Sequence, residues 1–115
     1  MTNAHKLEVS LKEFIIDEQS DAHNIRNINF YKYNNLRLFM DPVKIAIPHF
    51  FVRIGISEAC YRLSDCEKLS GGLGADAKYI PRWYNRVNIK EELSSLWTNS
   101  LKIKVVINDT EEEPD

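Results

Sequence analysis

The sequence predicts an α+β fold: a small antiparallel sheet of about four to six strands packed against one or two C-terminal helices. Three observations carry this. Leu36 to Ile56 is rich in branched and aromatic residues set between turn formers, as strands require. The last third holds an apolar stripe at helical spacing. The 115 residues, 43% of them hydrophobic, suffice for one core and no second one. Residues 1–108 therefore read as a single α+β domain and 109–115 as an acidic, flexible tail.

The elements follow in chain order. Leu7, Val9 and Leu11 alternate toward Phe14-Ile15-Ile16, which suggests a strand, although Leu7, Leu11, Phe14 and Ile15 also fit a helix. Asp17 to Asn24 is polar and reads as a loop. Ile28 to Tyr33 is aromatic-rich, Asn34-Asn35 suits a tight turn because Asn tolerates left-handed angles, and Leu36 to Met40 answers as a returning strand. Asp41-Pro42 breaks that hairpin. Ile45 to Ile56 contains Pro48 and Gly55, which suit a strand with an irregular entry and a turn at its end. Residues 57–70 fit equally a helix capped by Ser57 and stopped by Gly71, or a strand alternating through Ala59, Tyr61 and Leu63.

The C-terminal third opens with a short helix, about Ala75 to Arg86, which must kink or restart at Pro81. Asn88-Ile89-Lys90-Glu91 is an Asn variant of the capping box, and Ile89, Leu93, Leu96 and Trp97 share one helical stripe behind it. Leu101, Ile103, Val105 and Ile107 alternate and predict a final edge strand, suited to pairing with a partner or a second copy.

Charge and composition remove several function classes. Fifteen basic and 17 acidic residues give a net charge of −2, which excludes a strongly basic duplex binder. The tail alone carries Asp109, Glu111, Glu112, Glu113 and Asp115, so residues 1–108 hold 15 basic against 12 acidic groups, a body of about +3. Met1 to Lys6 shows no apolar core of a secretory signal, and Ile45 to Ile56 is too short to span a bilayer. The expected location is the cytoplasm, with no membrane partner and with Cys60 and Cys66 as free thiols.

No complete catalytic constellation is visible. Gly71-Gly72-Leu73-Gly74 lacks the Lys-Ser/Thr of a phosphate loop and reads as a turn. His5, His23 and His49 form no metal-ligand spacing, so neither metal nor cofactor is expected. Cys60 could pair with His49 across two strands as nucleophile and base, but a cysteine on an apolar face usually packs. Lys78, Arg82, Arg86 and Lys90 recur every four residues with Tyr79, Trp83 and Tyr84 among them. With Arg53, they are the candidate contacts for RNA or another anion, against the reading of a solvated face broken at Pro81.

One stretch resembles a known family. Ile47-Pro48-His49-Phe50-Phe51-Val52-Arg53-Ile54-Gly55, then Glu58-Ala59, is similar to the Pro-Pro-His-x-His-Val, Gly, Glu-Ala signature of a small prokaryotic family of unknown function. The resemblance continues through Gly72, Trp83, Glu91-Glu92-Leu93 and Trp97, covering residues 36–98. It implies antiparallel strands ending in the Glu-Ala strand, then a C-terminal helix, which turns residues 57–70 toward a strand. It also implies a partner encoded by an adjacent gene, in pairs reminiscent of toxin–antitoxin modules. The second family histidine is Phe51 here and the first proline is Ile47, so any paired-imidazole chemistry is lost. His49 remains the one candidate functional polar residue, weighed against a hydrogen-bonded structural role.

The resulting expectation is a non-catalytic protein-interaction module of the toxin–antitoxin or immunity kind. The alternatives are an RNA-binding or RNA-cleaving toxin using Arg53, Arg82, Arg86 and His49, and an enzyme whose site the fold assembles.

Overall fold

The computed structural model describes residues 3–20 and 30–112, with residues 3, 20, 30, 31 and 102–112 as backbone alone. A helix α1 (Asn3–Ser20) leads into a 3₁₀ turn at Phe30–Tyr33, after which four strands follow: β1 (Arg37–Phe39), β2 (His49–Ile54), β3 (Ser57–Arg62) and β4 (Lys68–Gly72). A second 3₁₀ turn, Gly74–Lys78, runs into α2 (Tyr79–Tyr84), and α3 (Ile89–Glu112) closes the order. The strands form one antiparallel sheet in the order β1-β2-β3-β4. The α+β class and the antiparallel sheet agree with the sequence reading.

The sheet is built by local turn chemistry. Gly55, at φ +62°, takes the first central position of the two-residue β2–β3 turn, where a left-handed backbone is required. Gly71, at φ +73°, permits a closer approach: a Cβ there would stand 2.1 Å from the Glu58 carbonyl oxygen. The glycine-rich stretch is thus an edge strand and its exit. The β3–β4 turn is clamped by Arg62, which binds Asp65 at 2.5 Å and also Glu67.

Strand alternation assigns the two sheet faces. Leu38, Phe50, Val52, Ala59 and Tyr61 point inward, meeting Leu7, Leu11 and Ile15 of α1, Ile80 and Trp83 of α2, and Leu93 of α3. Trp83 is fully buried, and its indole N–H donates to the Ser10 hydroxyl at 3.1 Å. The outer edge of β1 is closed by α1: the Leu38 N–H donates to the Glu8 carboxylate at 2.8 Å. A buried Asp76 ties the chain together elsewhere, accepting from the Tyr33 hydroxyl at 2.9 Å and holding Lys32 at 2.6 Å.

Four expectations are corrected. Residues 7–16 are helical, because Leu7, Leu11 and Ile15 are buried while Val9 is 39% exposed, the pattern of a period of 3.6 and not of two. Residues 17–20 continue α1 rather than starting a loop, and 21–24 lie outside the described residues. Tyr33 belongs to a 3₁₀ turn and not to a strand; Lys32 and Tyr33 both reach Asp76, which successive strand residues pointing to opposite faces do not do. The predicted strand start at 28–29 lies outside the described residues, and Asn34-Asn35 turns the chain from the 3₁₀ segment into β1. The predicted edge strand 101–107 is the continuation of α3, which runs on to Glu112, while 113–115 lie outside the described residues. The physical reason is propagation: the helix is already established at Ser100, whose hydroxyl donates to the Leu96 carbonyl, and lengthening it is cheaper than nucleating a strand without a neighbour.

Other readings hold in part: Gly71-Gly72 lie in β4 and not in a turn, residues 74–78 are 3₁₀ and the helix spans only 79–84, and Asn88 starts α3 through its backbone and not as a side-chain capping box. Residues 57–62 form a strand, α2 starts two residues before Pro81, and that proline occupies the first turn, where no N–H is needed. Asn88 sits at φ +70° and opens α3 through its carbonyl, which accepts the Glu92 N–H at 3.0 Å.

Candidate functional site

The predicted basic residues each meet a different neighbour. Arg82 donates to Glu18 of α1 at 3.1 Å. Arg86 lies over the Phe14 ring, 5.3 Å from its centroid, and Lys78 lies over Tyr79. Lys90 is exposed on α3. Arg82 and Arg86 therefore lie one turn apart along a single face of α1, near its Glu13, Asp17 and Glu18. The groove beside Arg86, about 390 Å³ and lined by Lys6, Glu13, Asp17 and Glu92 among others, carries both charges. This is the arrangement of a solvated, internally paired face.

His49 is fully buried at the start of β2. Its Nε2 accepts the Asp41 N–H at 2.9 Å, and its Nδ1 lies 2.7 Å from the Ile47 carbonyl, so Nδ1 carries the proton and donates. Phe51 and Trp97 pack on the ring edge to face. Both nitrogens are committed to backbone, which leaves neither a metal lone pair nor a base for Cys60. Burial, with the nearby Glu58 charge, also raises the Cys60 thiol, the opposite of what a nucleophile needs. Cys60 and Cys66 are free, and among the described residues no group of three metal-ligating side chains occurs.

Arg53 leads instead to a surface the sequence reading did not assemble. On β2, Phe50, Val52 and Ile54 face the core, so Phe51 and Arg53 face outward. The register sets Phe39 of β1 opposite Phe51, and their rings stack at 4.9 Å with planes 4° apart. Arg53 donates from Nε and Nη2 to one oxygen of Glu58 across the β2–β3 pair, at 3.0 and 2.7 Å, and its guanidinium rests 5.5 Å from the Phe39 centroid. Arg37 is the cross-strand neighbour of Arg53 on the other side. Phe39, Phe51 and Glu58 are half-buried, and Arg37 and Arg53 are exposed.

The outer face thus presents a hydrophobic pair beside a cross-strand pair of arginines. The signal was available in the alternation of β2, but Phe39 and Arg37 join it only through the strand register. Chemically the face offers apolar contact and hydrogen-bond donors. Among the described residues no helix is long and apolar enough to cross a membrane. Comparison with protein-family models, with curated proteins and with solved structures finds no match.

Proposed function

We propose that this chain is a non-catalytic protein-interaction module that acts in the cytoplasm and engages its partner through the outer face of its sheet. The partner fits the pattern of toxin–antitoxin or immunity pairs, in which it is encoded alongside. One observation carries the reading: the stacked Phe39–Phe51 pair stays half-exposed beside the Arg37–Arg53 cross-strand pair. Aromatic and arginine side chains are the residue types that concentrate binding energy at protein interfaces. The RNA reading draws less support, because Arg82 is paired with Glu18 and Arg86 lies on Phe14.

The test is capture of the neighbouring gene product by the full chain. Phe51→Ser, checked by circular dichroism for retained fold, is expected to abolish capture, while the double variant Arg82→Glu, Arg86→Glu retains it. Recovery of nothing beyond self-association, or loss confined to the Arg82/Arg86 variant, would overturn the proposal.

A further inference from the structure

The geometry points to an acidic segment of a partner protein as what the outer sheet face receives, with a carboxylate seated at Arg37 and Arg53. This deepens the interaction reading and rests on it. The β1–β2 register places Arg37 directly opposite Arg53, and like charges at such positions repel. Arg53 escapes by turning to Glu58 on its other side and leaning over Phe39. Arg37 has less relief: its Nη1 donates to the Leu36 carbonyl at 3.1 Å, it makes no ion pair among the described residues, and the Glu8 carboxylate lining the same groove is engaged by the Leu38 N–H. A carboxylate entering from outside relieves the repulsion and gains charge-assisted hydrogen bonds from an arginine with donors to spare.

Two further features favour a protein acid over a nucleic acid. The Phe39 and Phe51 rings turn their faces on each other, so the pair stacks on itself instead of opening two platforms for unstacked bases. A self-stacked pair offers its ring edges, the positive side of the quadrupole, which attracts carboxylate and carbonyl oxygens. The cationic character also extends across the sheet. Lys68 of β4 brings its Nζ to 4.0 Å from where a Cβ on Gly72 would stand, and Gly72 is the register partner of Glu58.

The experiment uses the full chain, isotope-labelled for amide resonances, titrated with a short poly-glutamate peptide and, separately, with a uridine oligonucleotide of equal charge. Poly-glutamate is expected to shift the amides of residues 37–39 and 51–53 at low salt and to lose its effect at high salt. Arg37→Gln, an exposed change that leaves the core untouched, is expected to weaken it at least tenfold. Shifts centred on residues 82–90, no shifts at all, or tighter binding of the uridine oligomer on this face would each overturn the inference. If the neighbouring gene product is still captured in that event, and still lost in Phe51→Ser, the fault lies in the charge assignment and not in the interaction reading.

Discussion

Two buried tyrosines show how one hydroxyl stabilises and another does not. Tyr33 is 3% exposed, donates to Asp76 and accepts from the Gln19 amide at 2.8 Å. Tyr61 is 4% exposed, and among the described residues its hydroxyl is the buried side-chain polar atom without a partner. Deleting a satisfied hydroxyl strands its neighbours, whereas deleting an unsatisfied one removes a desolvation cost. Tyr33→Phe is therefore expected to destabilise by about 1–3 kcal/mol, since Asp76 loses a buried donor. Tyr61→Phe is expected to be neutral or stabilising by about 1 kcal/mol. Urea denaturation of both variants checks the contrast, and equal losses would contradict it. Neither tyrosine could be ranked from sequence, because partner supply depends on Asp76, 43 residues from Tyr33.

At the scale of elements, β4 depends on its glycines more than on any side chain. Every residue of Lys68–Gly72 is exposed, so the strand is held by backbone pairing to β3 and by the turn that Arg62 clamps. Gly71→Ala sets a Cβ against the Glu58 carbonyl and a side chain at positive φ, where the strain alone is about 1–2 kcal/mol. The expected result is a lower urea midpoint and faster amide exchange across β4, with β1 and β2 unaffected; a uniform loss would show that β4 does not open separately.

Elements were legible where one periodicity stood alone, as in β2 and the first turns of α3, whereas β3 fitted two templates and only the resemblance turned it toward a strand. They were misread where two periodicities overlapped or where a long-range contact decided. Leu7, Val9 and Leu11 satisfy both templates, and only the exposure of Val9 separates them. Leu101 to Ile107 alternates, yet a strand needs a neighbour and the helix had already passed Ser100. The candidate site was legible by half: Arg53 was named from its segment, whereas Phe39 and Arg37 reach it through a register that sequence does not display.

For the whole molecule, the buried ionisable groups set an alkaline limit. Burial, with the Asp76 hydrogen bond and charge behind it, pushes Tyr33 up to about 12, and burial pushes Tyr61 and Cys66 up to about 12 as well. All three groups fold in their protonated forms. The unfolded chain sheds these protons near 9 for the thiol and 10 for the phenols. The stability they confer is whole below pH 9 and is lost as pH rises toward 12. The melting temperature is expected to hold between neutrality and pH 9 and then fall, with the tyrosinate absorbance of Tyr33 and Tyr61 appearing together with unfolding. A melting temperature indifferent to pH 11 would refute this. At the acid end, Arg62 beside Asp65 holds that carboxyl at about 2, and because the pair is exposed its loss on acidification is a minor matter.

The contact from Glu8 to the Leu38 N–H also fixes the valence of the sheet. Among the described residues, with β1 stoppered by α1, strand addition has one available edge, β4, and one edge cannot propagate in both directions. Two molecules meeting through β4 would consume each other's only bonding edge, so edge-to-edge growth terminates at a pair and a fibre cannot start from the folded state. Glu8, a single carboxylate on the first helix, is in this sense a chain terminator for the sheet.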